Sequence, residues 1–310
     1  MKIGLASDGL PALSLEQCLH RIAELGLQAV EFGTGGWSAA PHLKIERLLD
    51  DKPAQDRLLS LVRDQGLSIS ALNCSGNPLH PGESGSRDRE TTLRTLELAS
   101  QLGVERVVMM SGLPAAPGDR YPNWITSSWP PETEAILEWQ WQERLIPYWR
   151  QLVPIAEAKG LKLCLEQHGR QCVYNTETFF RLRDAVGPAI GVNFDPSHLL
   201  WMGGDPVQAI QALGQCIFHV HGKDTRIEPG SAVNGLLDAK PAALVGQRSW
   251  NFASLGHGRS FGSWQRIVAA LKQAGYDDVI SIENEDHQLR ADEAIRTSAE
   301  VLKFAIAHLQ

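Results

Sequence analysis

Four short apolar runs in the second half of this 310-residue chain each end in a side chain able to bind a metal ion. They are Leu163-Cys164-Leu165-Glu166, Val192-Asn193-Phe194-Asp195, Phe218-His219-Val220-His221 and Ile280-Ser281-Ile282-Glu283. Each run reads as a buried parallel strand, and each ligand sits where its strand should stop. Two Glu, one Asp and one His at the same ends of neighbouring strands would converge on one point. Such a set suits a divalent cation held by hard oxygen ligands and one imidazole. A lone Glu at a strand end is most often a solvated loop carboxylate, but four on successive strands are harder to dismiss. Asp195-Pro196-Ser197-His198 adds His198 on the same turn, as a site residue or as a capping or core histidine. His219 and His221 share one face of their strand; His221, nearer the C-terminal end, should reach the mouth, and His219 should lie one layer down. Lys223 and Asp224 follow on the loop above, as a plain surface pair or as substrate contacts.

The elements that must position these residues alternate strand and helix from end to end. Strands are expected at residues 2–6, 29–32, 68–73, 106–111, 161–166, 190–195, 216–221 and 279–283. Helices are expected at 44–65, 88–102, 132–159, 176–186 and 264–274, with others after Ser14, after Asp205 and at the C-terminus. Ser14-x-x-Gln17 reads as a capping box, Gly26 and Gly103 as helix stops, and Asp205-Pro206 as an N-cap followed by Pro at the first helical position. Eight βα units predict an α/β fold, a single (β/α)8 TIM barrel filling residues 1–310 as one domain, with a doubly wound open sheet as the rival. In the barrel all strand C-termini face one mouth. Two loops exceed the usual length, at about residues 113–131 and 224–263, and both leave strand C-termini as walls or lids.

Composition narrows the class. A net charge of -7 argues against a nucleic-acid binder. No apolar run reaches the ~18–20 residues of a membrane span, and the N-terminal residues lack the pattern of a signal peptide. Cys18, Cys74, Cys164, Cys172 and Cys216 form no C-x-x-C pair and are odd in number, so reduced thiols and a cytoplasmic location are expected. Trp124 and Trp129 could stack on a sugar ring. Trp139, Trp141, Tyr148 and Trp149 fall on one helix as core or interface residues, which makes a homo-oligomer the expectation.

These segments resemble the sugar isomerase/epimerase family with the xylose-isomerase-like barrel, which also holds tagatose/psicose 3-epimerases, inositol-catabolism dehydratases and, more distantly, nucleases of the endonuclease IV type. The resemblance runs along the whole chain. It rests on Leu165-Glu166-Gln167-His168, Asp195-Pro196-Ser197-His198, His219-Val220-His221-Gly222-Lys223-Asp224 and Ile282-Glu283-Asn284-Glu285, with Asn77-Pro78-Leu79-His80-Pro81 similar to a family loop. It implies the metal ligands Glu166, Asp195, His221 and Glu283. It makes Glu166 and Glu283 the acid/base pair as well, and His198, His168, Lys223, Asn73 and His80 the substrate-binding set. One Mn²⁺ or Mg²⁺ fits that donor set best, with Co²⁺ acceptable and Zn²⁺ less suited. The implied reaction removes a proton next to a sugar carbonyl and stabilises an ene-diolate. The runner-up is a lyase or dehydratase acting on a keto-sugar, keto-glycoside or inositol derivative. A non-catalytic sugar-binding barrel is a further alternative. The loop at residues 226–259, with His257 and Arg259, is longer than in the simple 3-epimerases and leaves room for a larger sugar.

Overall fold

The computed structural model describes residues 1–309. Eight parallel strands close into a barrel: β1 (Lys2–Ala6), β2 (Ala29–Gly33), β3 (Ser68–Asn73), β4 (Arg106–Met110), β5 (Lys162–Glu166), β6 (Ile190–Phe194), β7 (Ile217–Gly222) and β10 (Val279–Ile282). Around the barrel the order is β1-β10-β7-β6-β5-β4-β3-β2, so chain order and spatial order agree. β8 (Asp224–Ile227) and β9 (Trp250–Ala253) form a separate antiparallel hairpin within the long loop after β7. The rival open sheet is thereby excluded.

The barrel strands are largely apolar because parallel strands under a helical layer are covered on both faces. Val30, Phe32, Leu163, Leu165, Val192, Ile280 and Ile282 are all fully enclosed. The expected caps form. Ser14 Oγ accepts from Gln17 N, while Gln17 Oε1 accepts from Ser14 N. Gly103 ends its helix with φ +69°, a left-handed conformation that glycine adopts without strain. Asp205 caps Val207 and Gln208 ahead of Pro206.

Several helices also differ from the sequence reading, each for a local reason. The helix expected at 44–65 is two, Ile45–Asp50 and Lys52–Asp64. Pro53 cannot donate inside a helix, so the second restarts with Pro in its first turn and Asp51 Oδ1 accepting from Ala54 N at 2.8 Å. The helix expected from residue 88 begins at Glu83, which the closeness of Gly85 to His80 allows; a Cβ on Gly85 would lie 2.1 Å from the His80 carbonyl oxygen. The helix at 132–159 contains a π-helical turn, Gln140–Leu145, where Gln140 Nε2 reaches the Pro114 and Asn123 carbonyls and ties down the loop after β4. A short helix, Pro196–Trp201, follows β6 directly.

Packing groups the chain into two compact units, Met1–Phe32 with Leu58–Ser70 and Phe194–Gln310, and Gly33–Arg57 with Ala71–Asn193. All five cysteines are free thiols. Among the described residues no helix is long and apolar enough to cross a membrane.

Candidate metal centre

Glu166 closes β5, and its Oε2 accepts from Asn193 Nδ2 at 2.8 Å, its register neighbour on β6. Asp195 stands just past β6 as the N-cap of the Pro196–Trp201 helix, with Oδ1 accepting from Ser197 N at 2.8 Å. His221 lies one residue before the end of β7, beside Ser281 of β10. Glu283 follows β10, and its backbone N–H donates to the Gly222 carbonyl at 3.3 Å. Each of these four residues offers one donor atom, and the four atoms lie within 4.8 Å of one another. Glu166, Asp195 and His221 are buried, and Glu283 is about a quarter exposed, with 23 % of its side chain accessible.

Lys223 meets this group from the loop between β7 and β8. Its ammonium is 2.8 Å from Glu283 Oε2, 2.9 Å from Glu285 Oε2 and 3.4 Å from Asp195 Oδ2, and sits 4.4 Å from the Phe252 ring centroid. The surface-pair reading of Lys223 and Asp224 is therefore overturned. Asp224 is buried and faces elsewhere, accepting from Thr225 N, Arg259 N and Trp264 Nε1 at 2.8, 2.7 and 2.9 Å. Burial pushes its carboxyl up from the ordinary value, against those three donors.

His198 has its Nε2 3.4 Å from Asp195 Oδ2, and its ring meets Phe252 edge-on. His168, Glu166 and His198 form a second convergent group; the His168 ring also tilts against Trp37, 5.9 Å away. Asn73 and His80 are engaged locally: Asn73 Oδ1 accepts from Ser75 N, and His80 Nδ1 accepts from Gly82 N at 3.0 Å. His80 belongs to none of the convergent groups. His257 is exposed. Trp124 packs edge-on against Tyr174, and Trp129 is exposed. Trp141 and Trp149 are enclosed within the chain, so the core alternative applies to them and they offer no surface to a second copy.

The sequence reading missed Glu31. It lies in β2, fully buried, with Oε2 2.8 Å from His219 Nε2 and Oε1 3.1 Å from His221 Nε2. Burial alone would raise its carboxyl, but His221 and His219 beside it hold it well below the usual carboxylate range. A charged residue inside the apolar run Ala29-Val30-Glu31-Phe32 was the available signal. His219 does lie one layer below His221, as its spacing predicts.

Three clustered carboxylates with an imidazole repel one another unless positive charge joins them, and one lysine supplies only part of it. The donor set, hard oxygens with one nitrogen, is one that could hold a divalent ion. The molecule is thus a parallel (β/α)8 barrel with a candidate metal centre at the C-terminal ends of its strands, where such barrels carry their sites. Over residues 19–305 it matches the family described as xylose isomerase-like TIM barrel, and the chain belongs to that family. Its members include sugar isomerases, epimerases and inosose dehydratases, which act on small sugars. The chain is 48% identical over 312 residues to the uncharacterised protein YfiH of Bacillus subtilis, spanning 99% of this chain and all of that one. It is 24% identical over 288 residues to an inosose dehydratase of Geobacillus thermodenitrificans, spanning 91% of this chain and 87% of that protein. Among solved structures, the IOLI protein with a bound zinc atom shares the fold with a TM-score of 0.70 at 22% identity, covering 100% of this chain and 99% of that one.

Proposed function

We propose that the protein is a divalent-metal-dependent sugar isomerase or epimerase. The observation that carries this reading is the convergence of Glu166, Asp195, His221 and Glu283. Asp195 and His221 serve as ligands only, while Glu166 and Glu283 serve as ligands and as the acid/base pair. A bound cation would polarise the substrate carbonyl and stabilise the negative charge that develops on its oxygen. Glu166, oriented by the Asn193 amide, takes the proton from the carbon beside the carbonyl. Glu283, steadied by Lys223, returns a proton from the other side. His198 and His168 contact the sugar hydroxyls. Mn²⁺ or Mg²⁺ is the metal that the oxygen-rich set favours, and the zinc held by a related barrel makes Zn²⁺ the comparison to run.

The inosose dehydratase relative favours a second reading, in which the same proton removal is followed by loss of a leaving group from the adjacent carbon, two away from the carbonyl, with a carbon–carbon double bond formed between them. One experiment tests both. Candidate ketoses and keto-inositols are incubated in deuterated buffer with Mn²⁺-loaded protein and followed by NMR. Deuterium gained at the carbon beside the carbonyl, with a rearranged sugar, supports the isomerase; release of water or an aglycone supports the lyase. Glu283→Gln is expected to lose metal and to slow exchange at least ~100-fold. Unchanged metal content and turnover in that variant would sink the proposal.

A further inference from the structure

The proposed reaction makes no use of Glu31, although it sits directly beneath the metal centre. It lies in a strand buried along its whole length and is itself fully enclosed. A carboxylate in such a place is unfavourable unless donors meet it. Here they are two imidazoles from one strand. His219 and His221 are two residues apart in β7 and so share a face, and their rings meet edge to face with centroids 5.8 Å apart. Both turn Nε2 toward Glu31.

An imidazole has only two ring nitrogens, and the bond made by one decides what the other can do. His221 Nε2 faces Glu31, so Nδ1 is the nitrogen on the side of Glu283, 3.3 Å from its Oε2. We propose that Glu31 is the positioning residue of the metal centre. Its carboxylate holds the Nε2 proton of His221, which assigns Nδ1 to the cation and fixes the ring plane. His219 binds the same carboxylate and keeps it from swinging away. A carboxylate behind a ligating histidine also makes that imidazole a stronger donor. The inference rests on the metal-centre reading above and deepens it.

The test uses the full chain with ¹⁵N-labelled histidine, loaded with Zn²⁺ so that NMR signals stay sharp. His221 is expected to carry its proton on Nε2 and to show the metal at Nδ1. In parallel, Mn²⁺ affinity is measured by titration for wild type, Glu31→Gln and Glu31→Asp. Glu31→Gln should weaken binding about 10–100-fold, and Glu31→Asp, which keeps the charge, should recover part of the loss. His219→Gln, which removes the second imidazole, serves if Glu31→Gln does not fold, and should weaken binding in the same direction. A proton on Nδ1 in the loaded protein, or Mn²⁺ affinity unaltered in the variants, would overturn the role given to Glu31 while leaving the metal centre standing. A wild-type protein that binds neither ion would overturn the metal-centre reading and this one with it.

Discussion

On the proposed metal reading, the surroundings of Lys223 change with whether a cation is bound. Its ammonium sits among Asp195, Glu283 and Glu285, and is only 3% exposed. Removing it takes that counter-charge from buried Asp195 and from the partly exposed Glu283 and Glu285, a change worth roughly 3 kcal/mol at most. Lys223→Met should therefore lower unfolding stability by up to that much in chelator-treated protein, and by clearly less once Mn²⁺ is added. Urea melts with and without metal measure the difference, and equal losses in both states would refute the idea. At this scale the sequence was readable where position and chemistry coincide. Glu166, Asp195, His221 and Glu283 all end strands, so parallel-barrel geometry alone brings them together. Glu31 was marked only as a charge within an apolar run; its partners come from β7, 188 and 190 residues away, and no local pattern announces so distant a contact. The surface-pair alternative for Lys223 fails for a related reason: a lysine past a strand end looks solvated until the β8–β9 hairpin and Phe252 cover it.

The hairpin is the element that sequence patterning could not find. Its strands are four residues each and carry polar side chains, so neither period nor composition separates them from loop. What holds it is a set of buried acceptors. Asp224 gathers two backbone N–H groups and the Trp264 indole, so Asp224→Ala should cost at least ~2 kcal/mol in urea unfolding, whereas Asp224→Asn, which keeps an acceptor, should cost less. Farther out, Asp238 accepts from Lys240 N and Ser249 N, bonds that hold its carboxyl below the ordinary range. A carboxyl depressed in the folded state stabilises above its unfolded value, about 4, and that contribution fades as the pH falls toward the folded value. The loop should therefore loosen on acidification below about pH 4. Trp250, bonded through Nε1 to Leu236 O and stacked on Trp201, reports it by fluorescence. In Asp238→Asn that acid step should be missing.

For the whole molecule, the alternation of eight strands with helices was enough to specify the barrel, because only closure lets eight parallel strands pair on both sides. The interruptions were harder to see. The break at Asp51, the π turn at Gln140 and the helix at Pro196 each answer to one side chain's bonds, and helix periodicity averages over such details. The two compact packing units have their boundaries inside β2, β3, β6 and the helix Lys52–Asp64. We propose that the chain is nonetheless one domain, since a boundary drawn through a strand leaves ladder bonds with no natural place to part. Far-ultraviolet circular dichroism and tryptophan fluorescence should then trace one coincident urea transition. Two separated midpoints would show two folding units instead.

The dual use of Asp195 bears on how this barrel can change over generations. One carboxylate oxygen caps the helix at Pro196 while the other faces the ligand cluster. Asparagine can do the first job and not the second, being nearly as good a cap but uncharged. A lineage that abandons the chemistry therefore has a route that leaves folding almost untouched: Asn at position 195 silences the centre and keeps the turn. On the proposed reading of Asp195 as a ligand, descendants turned into sugar carriers or scaffolds should carry that amide far more often than alanine.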